Sequence, residues 1–538
     1  MKYFFLFCLL LTYLYFIGLF AAGAGCATPF PPEGGDRDSI PPQLVLEEST
    51  PNRQVNFRPE EIVLTFDEWV VLTDPTQIVI SPPVDLGEGP ELKRKSLIIP
   101  FEDVVWEDSV TYTVNLGESI VDFTEKNPVE NIRYVFSTGP ELDSAEVRGQ
   151  VLDAYTGEGK EKVLVSLYAN LVDSAITTQR PFYFGFTDED GKYELGNLKP
   201  GNYRLYALEN AAGIYEYGSS TSAFAFIDTA VVIGDSYFRM PDLRMSPLPQ
   251  AVQVDVDSSR RRVLKLGFDR PVLEVPVRTL NADYIRVTRN DTLRLFYETA
   301  SSDTILIGDE AMGIDTIIIS AADWEELKED EPIQLQEAPN QATYPGQTVE
   351  LNFSRPLSAV DSSLVEVLPD TLDNTQDFTL ELNGMRLEQL KLRSPWEVNK
   401  RYQVVFQPGA VTDFEGLQNQ DTISFNLQGA DPANVGMLRL RISDLDASQS
   451  YVAKLIDDGN NGLIDRFSMS GDTTYAQTFE RLKAGNYRVE IIEDVNGNGR
   501  YDGGDWPKRR QPERVRIYKL DALRANWELE AEISLEAE

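Results

Sequence analysis

An internal repeat constrains this chain more than any other feature. Ile62, Leu64, Phe66, Asp74, Ile78, Ile80 and Pro82 recur without a gap as Val349, Leu351, Phe353, Asp361, Val365, Val367 and Pro369. Further on, Tyr112, Val114, Asp122, Phe123, Tyr134 and Phe136 recur as Tyr402, Val404, Asp413, Phe414, Phe425 and Leu427. Within each copy apolar residues alternate with polar ones, which puts the apolar set on one face of a strand. A partial third copy runs through Leu264, Leu266 and Phe268, where Phe268-Asp269-Arg270-Pro271 parallels Phe353-Ser354-Arg355-Pro356. Several short strands, broken by turn residues over about ninety positions, predict a β-sandwich.

A second repeat interleaves with the first. Leu198-Lys199-Pro200-Gly201-Asn202-Tyr203-Arg204-Leu205 returns as Leu482-Lys483-Ala484-Gly485-Asn486-Tyr487-Arg488-Val489. The turn places a tyrosine at the start of a core strand, with its ring inside. Upstream of the first copy lie Val147, Gly149 and Val151, then Val163, Val165 and Leu167, then the turn at Asp188, Asp190 and Gly191. Near the C-terminus Leu438, Leu440 and Ile442 alternate with Arg439 and Arg441. There too Trp527, Leu529, Ala531, Ile533 and Leu535 alternate with polar residues, so both stretches are expected to be half-buried strands. One short helix is expected, around Ala321 to Glu329.

Composition narrows the chemistry. With 87 acidic against 49 basic residues the net charge is −38, a surface that repels nucleic acid and anionic lipid headgroups. Histidine is absent, which removes the commonest general base and a histidine-liganded zinc peptidase site. The two cysteines, Cys8 and Cys26, both lie in the N-terminal targeting region, so a mature chain has no disulfide and relies on its cores. No Gly-x-Ser-x-Gly elbow or phosphate-binding Gly-Lys-Thr loop occurs. With so many acidic residues, a carboxylate pair for glycoside hydrolysis carries no weight on its own.

Lys2, the apolar run from Tyr3 to Phe20, and the small residues Ala21 to Gly25 have the order of a signal peptide. Cys26 directly after Ala24-Gly25 resembles the lipobox of bacterial lipoproteins, with Gly23 where that family usually has leucine. The resemblance implies that residues 1–25 are removed and that Cys26 carries the lipid. An uncleaved membrane helix or a plain secreted protein are the other readings of the same residues. Residues 26–42, rich in Pro, Gly and Asp, read as a tether. They are similar to the opening of Ig-like-domain lipoproteins of Bacteroidota, in which Gly-Gly and Pro-Pro flank a charged segment. The first acid after the cysteine is Glu33, which leaves the periplasmic or cell-surface face open.

The first repeat resembles the bacterial Ig-like domain of surface-layer proteins (SbsA-type). The second resembles the carboxypeptidase regulatory-like, or transthyretin-like, sandwich, whose family lacks a zinc site. The expected fold is therefore all-β, with tandem sandwiches at 43–139 (Ig-like), 145–246 (transthyretin-like), 250–338 (divergent Ig-like), 340–430 (Ig-like) and 436–538.

One local motif suggests a ligand. In the run from Asp494 to Asp505, side-chain oxygens of Asp494, Asn496, Asn498, Asp502 and Asp505 fall at loop positions 1, 3, 5, 9 and 12. Gly499 sits at 6 and Arg500 could offer its carbonyl at 7, the spacing of a calcium loop. Position 12 is aspartate rather than glutamate, and a strand rather than a helix precedes it, so a glycine-rich hairpin turn is the competing reading. Asp457 to Asp465 repeats the pattern loosely and reads as a plain turn. Of the six tryptophans, most read as core anchors and Trp506 as the exposed one. The basic run Lys508-Arg509-Arg510 reads as a solvated hairpin, or as a contact for an acidic partner.

These features lead to a non-enzymatic outer-membrane lipoprotein, held to the membrane through its lipid and engaging a protein of the cell envelope. The alternative is a surface glycan-binding protein of a polysaccharide-uptake system. Calcium is the one cofactor suggested, and nucleic acid is not expected as a partner.

Overall fold

The computed structural model describes residues 9, 10, 12 and 39–535, apart from 88, 130–131, 211–216, 219–220, 249–250, 281–282, 310–312, 325–329, 338–341 and 371–374. Cys26 lies outside the described residues, as does nearly all of 1–38. The chain divides into two compact units, Met1–Asp143 and Ser144–Glu538. The architecture is all-β, with many small sheets packed face to face. No described helix is long and apolar enough to cross a membrane.

In the first unit, strand Glu61–Thr65 pairs with Ser96–Pro100, which pairs with Glu91–Lys93; facing them, Thr111–Asn115 pairs with Val79–Ser81 and Arg133–Ser137. A two-stranded sheet, Val70–Leu72 with Ile120–Asp122, closes one edge. The alternating residues Ile62, Leu64, Phe66, Ile80, Tyr112, Val114, Tyr134 and Phe136 all point into one buried core. The period of two in the sequence is thus the inside face of the sandwich.

The second copy reproduces this register inside the larger unit. Ile62 and Leu64 lie opposite Ile99 and Leu97, as Val349 and Leu351 lie opposite Leu392 and Leu390. Ile80 faces Val114 as Val367 faces Val404, and Val70 faces Asp122 as Leu357 faces Asp413. Asp122 and Asp413, alike in sequence, also act alike: each buried carboxylate accepts backbone N–H groups from the turn that follows. Lys126 and Asn127 donate to Asp122 at 3.0 and 2.9 Å, and Glu415 and Leu417 donate to Asp413 at 2.9 and 2.7 Å. Burial pushes the Asp122 carboxyl up, but these N–H groups outweigh it and hold the group below the usual range.

The other segments of the larger unit each hold a core of their own. Residues 145–246 form strands around Val147, Val165, Leu205 and Tyr203. Residues 250–338 pack Leu264, Leu266, Phe268 and Trp324; the expected helix there is a 3-10 turn, Ala321–Trp324, with 325–329 outside the described residues. In the last segment Val435–Ser443 lies between Thr474–Lys483 and a parallel partner, Glu528–Ser534, over a core of Leu438, Leu440, Ile442 and Val489. Both turn tyrosines do the same thing. The Tyr203 hydroxyl donates to the Lys199 carbonyl at 2.8 Å and Tyr487 to Lys483 at 2.7 Å, pinning the turn onto the strand. Trp527 departs from the expected alternation. It lies just before its strand, exposed, with the Arg524 guanidinium over its ring.

Candidate functional site

The residues singled out for calcium run from the last residue of strand Tyr487–Asp494 into the 20-residue excursion that joins it to Val515–Lys519. Its glycine spacing is enforced by backbone shape, since Gly497 and Gly499 have φ of 68° and 78°, a region open to glycine. Asp494, Asn496, Asn498 and Asp502 come together. The amide nitrogens of Asn496 and Asn498 both donate to Asp502 Oδ2, at 2.5 and 2.7 Å. Asp494 accepts the N–H groups of Asn498 and Gly499 at 3.0 and 2.7 Å. The Arg500 guanidinium is buried; its Nε is 3.4 Å from Asp502 Oδ1, and its other nitrogens reach Asp309 and the Glu274 carbonyl.

Asp505, expected at position 12, stands apart from this group. Its Oδ2 lies 3.6 Å from Lys508 Nζ, and its backbone pairs with Arg510. A glutamate from further along borders the loop: Glu513, buried, accepts N–H groups from Val495 at 3.0 Å and Asp502 at 2.9 Å, one on each oxygen. Burial pushes its carboxyl up to about 7. Those two N–H groups pull the other way, while the charges of Asp502 and Asp494 add to the rise. Strand register was the missed signal: Ile492 pairs with Val515, so two residues further out Asp494 lies opposite Glu513. Among the described residues no three Asp, Glu, Cys or His side chains are grouped to hold a metal; the loop instead mixes carboxylates with amides.

The tip of the excursion corrects two expectations. Trp506 is not exposed but 7% accessible, inserted among Tyr206, Phe224 and Phe226 of segment 145–246 with ring centroids 5.0, 6.0 and 5.0 Å away. The basic run is not a free hairpin: Arg509 stacks over Trp506 and pairs with Asp173 at 2.6 Å. Gln511 donates to the Phe226 carbonyl, and the Gly504 N–H donates to Ser246 Oγ at 2.7 Å. Either of the two glycines at 503 and 504, given a Cβ, would press on Ser246. Nearby, Tyr155 donates to Glu490 at 2.6 Å and packs edge-on against Tyr501. The last segment is therefore welded to segment 145–246, an arrangement that a simple row of domains does not anticipate.

The other two motifs are ordinary turns, as expected. Asp188 accepts from Asp190 and Lys192 N–H groups, and the turn at Asp458 to Asn461 is tied by Arg488. The tryptophans divide. Trp324, Trp396 and Trp506 are buried, Trp106 packs against the first core, and Trp69 and Trp527 are exposed.

A second polar cluster was not foreseen. Arg355 is completely buried, its Nε 2.6 Å from Asp413 and its Nη2 2.5 Å from Glu415. Glu415 is also paired with Arg262 of the preceding segment. The Arg355 guanidinium lies 5.9 Å from the Phe296 ring and 5.8 Å from that of Phe414. This network joins segment 250–338 to segment 340–430.

No protein-family profile matches the chain, and no curated protein is similar to it in sequence. Among solved structures, the Bacteroides ovatus mixed-linkage glucan utilization locus SGBP-B, in complex with mixed-linkage heptasaccharide, is 9% identical. It aligns over 67% of this chain and 88% of its own, with TM-score 0.18. BcpA, the major pilin subunit of Bacillus cereus, is 8% identical over 73% of this chain and 99% of its own, TM-score 0.16. Native alpha-2-macroglobulin from Escherichia coli, domains MG0-NIE-MG1, is 13% identical over 34% and 71%, TM-score 0.17. Likeness at these TM-scores carries no argument about what this chain does.

Proposed function

We propose that this protein is a non-enzymatic lipoprotein of the bacterial outer membrane that works as a structural and interaction module of the envelope. One observation supports this reading most. The buried ionisable clusters, Arg355 with Asp413 and Glu415, and Arg500 with Asp502 and Asp309, sit where sandwiches meet and hold them together. Charges that answer one another across a joint hold its two sides in register. Cys26 is the anchor in this reading, with the tether at 26–42 spacing the first sandwich from the membrane. Lipid on Cys26 is tested by Cys26→Ser, which should move the protein from the membrane fraction to the soluble one and abolish incorporation of labelled fatty acid. Retention in the membrane fraction would mean that the apolar run is the anchor.

The excursion at 494–513 is proposed to take calcium through Asp494, Asn496, Asn498, the Arg500 carbonyl and Asp502, with Glu513 in the place first assigned to Asp505. Calcium in the millimolar range should raise the melting temperature, and Asp494→Ala should remove that rise. An unchanged melting temperature would leave the loop as a docking hairpin alone.

A second reading, glycan binding at the cell surface, is favoured by one feature: Trp69 and Phe123, backbone neighbours on the first sandwich, have 57% and 63% of their surface open. If it holds, Trp69→Ala should weaken retardation of the protein in polysaccharide gels.

A further inference from the structure

Segment 250–338 ends one of its sheets on an open strand. Val277–Thr279, Asp303–Asp309 and Gly313–Ile319 lie side by side, and among the described residues no strand lies beyond Gly313–Ile319. The alternation of hydrogen bonds fixes which groups look outward. Leu280 donates its N–H to the Thr304 carbonyl at 3.0 Å and Gly308 donates to Pro276 at 2.8 Å, so every second residue from Thr304 faces the first of these strands. Asp303, Ile305, Ile307 and Asp309 therefore face the third, where their partners are Ile319, Ile317, Asp315 and Gly313. The backbone groups of Ile314, Thr316 and Ile318 are left pointing away from the sheet. Ile305, Ile307 and Ile319 lie in the core, so the side chains of Ile314, Thr316 and Ile318 share the outer face, with Ile314 61% and Ile318 74% exposed.

Apart from one residue, this strand is suited to pair with its own copy. Turned antiparallel about Thr316, two copies set Thr316 against Thr316, Ile314 against Ile318, and Asp315 against Ile317. The outer face then carries a ladder of β-branched pairs, a favourable cross-strand combination. Each outward N–H also meets a carbonyl. Between Gly313 and Ile319 there is a single charge, whereas the edge strand Glu528–Ser534 of the last segment carries three glutamates. That charge stands at the centre. Asp315 Oδ1 accepts the Thr316 N–H at 2.7 Å, the donor that the paired arrangement needs on its two-fold axis. Pairing breaks this bond and brings the two Asp315 carboxylates to diagonal positions about 7–8 Å apart. At physiological salt that is within about one screening length.

We infer that Asp315 is an edge guard: its carboxylate holds the Thr316 N–H and keeps Gly313–Ile319 from joining the same strand of a second copy. The device is independent of what the chain binds. A long free edge with an apolar face is a template for association, and a charge on it is one of the ways folded proteins blunt it. Asp315 combines two such effects, since its short side chain stays exposed while reaching the N–H of its neighbour.

The test traps the pairing as a disulfide in the full-length protein, in the cells that make it. The chain's own cysteines are Cys8 and Cys26, and the parent without an added cysteine gives the background. In the symmetric pairing the two Thr316 Cα atoms lie about 5.5 Å apart, a spacing that a disulfide bridges. The two Ile318 Cα atoms are offset by about four residues, roughly 14 Å, which it does not bridge. With Asp315 in place, Thr316→Cys should form no more linked dimer than Ile318→Cys under a mild oxidant. Adding Asp315→Thr, or Asp315→Val, to Thr316→Cys should raise the dimer about tenfold or more, as a like-charge contact is removed and an N–H released. Adding either to Ile318→Cys should leave the yield low. Position 315 is exposed and both replacements suit a strand, so the melting curve should not move. The inference is overturned if Thr316→Cys dimerises fully beside Asp315, if replacing Asp315 leaves its yield unchanged, or if the two cysteines respond alike.

Discussion

Arg355 gives the most exacting test of how the larger unit is held together. Its guanidinium and the Asp413 carboxylate are both fully buried, and Glu415 nearly so. Arg355→Met keeps the bulk and removes the charge, leaving Asp413 with two backbone N–H groups and without the guanidinium that pairs with it directly. Breaking a buried pair by deleting one partner costs about 3–5 kcal/mol, because the remaining charge stays desolvated. Each 1.4 kcal/mol is about tenfold, so the opening equilibrium of this sandwich should rise roughly a hundredfold to several thousandfold. Hydrogen exchange followed by mass spectrometry reads this directly: amides of Arg401–Phe406 should lose protection by that factor, and those of Val263–Phe268, across the joint, should follow. Arg355→Lys should fall between the two, since an ammonium cannot span both carboxylates as the guanidinium fork does. Loss of protection below tenfold in both strands would refute the assignment of the joint to this cluster.

Two further perturbations bear on the docking excursion. Trp506→Ala should cost about 3–5 kcal/mol, as expected for a large buried side chain. It should also free the tip, so that trypsin cuts after Lys508, Arg509 or Arg510 under conditions where the parent resists; an uncut variant would mean the tip is held without its tryptophan. Glu513→Gln tests the raised carboxyl in metal-free protein. An acid held near 7 in the folded state and near 4.5 unfolded leaves stability untouched below pH 4.5 and erodes it as pH climbs to about 7. The melting temperature of the variant relative to the parent should therefore be higher at pH 8 than at pH 4, whatever constant cost follows from putting an amide NH2 where one oxygen accepted an N–H; a difference independent of pH would sink the linkage.

The strands and their inner faces were legible in the sequence, because a period of two leaves a direct trace: Ile62, Leu64, Phe66 and their partners in the second copy are all buried. The turn tyrosines were legible for a related reason, since each acts on a carbonyl four residues away. What the sequence concealed was long-range. Trp506 sits in a glycine-rich loop, and its burial depends on Tyr206, Phe224 and Phe226, nearly three hundred residues earlier. Arg355 reads as a turn residue in Ser-Arg-Pro, and only the fold brings Asp413 to it. Glu513 lies eight residues beyond the apparent end of the ligand pattern and joins it through strand register alone.

The excursion at 494–513 reaches from the last sandwich to the segment at 145–246, closing the chain on itself across several hundred residues. A single backbone cut anywhere between those segments, for instance near Met385, would leave two fragments still gripping each other through Trp506 and Arg509. A protease would thus have to cut twice between those segments before a piece of the larger unit lying between them could drift away.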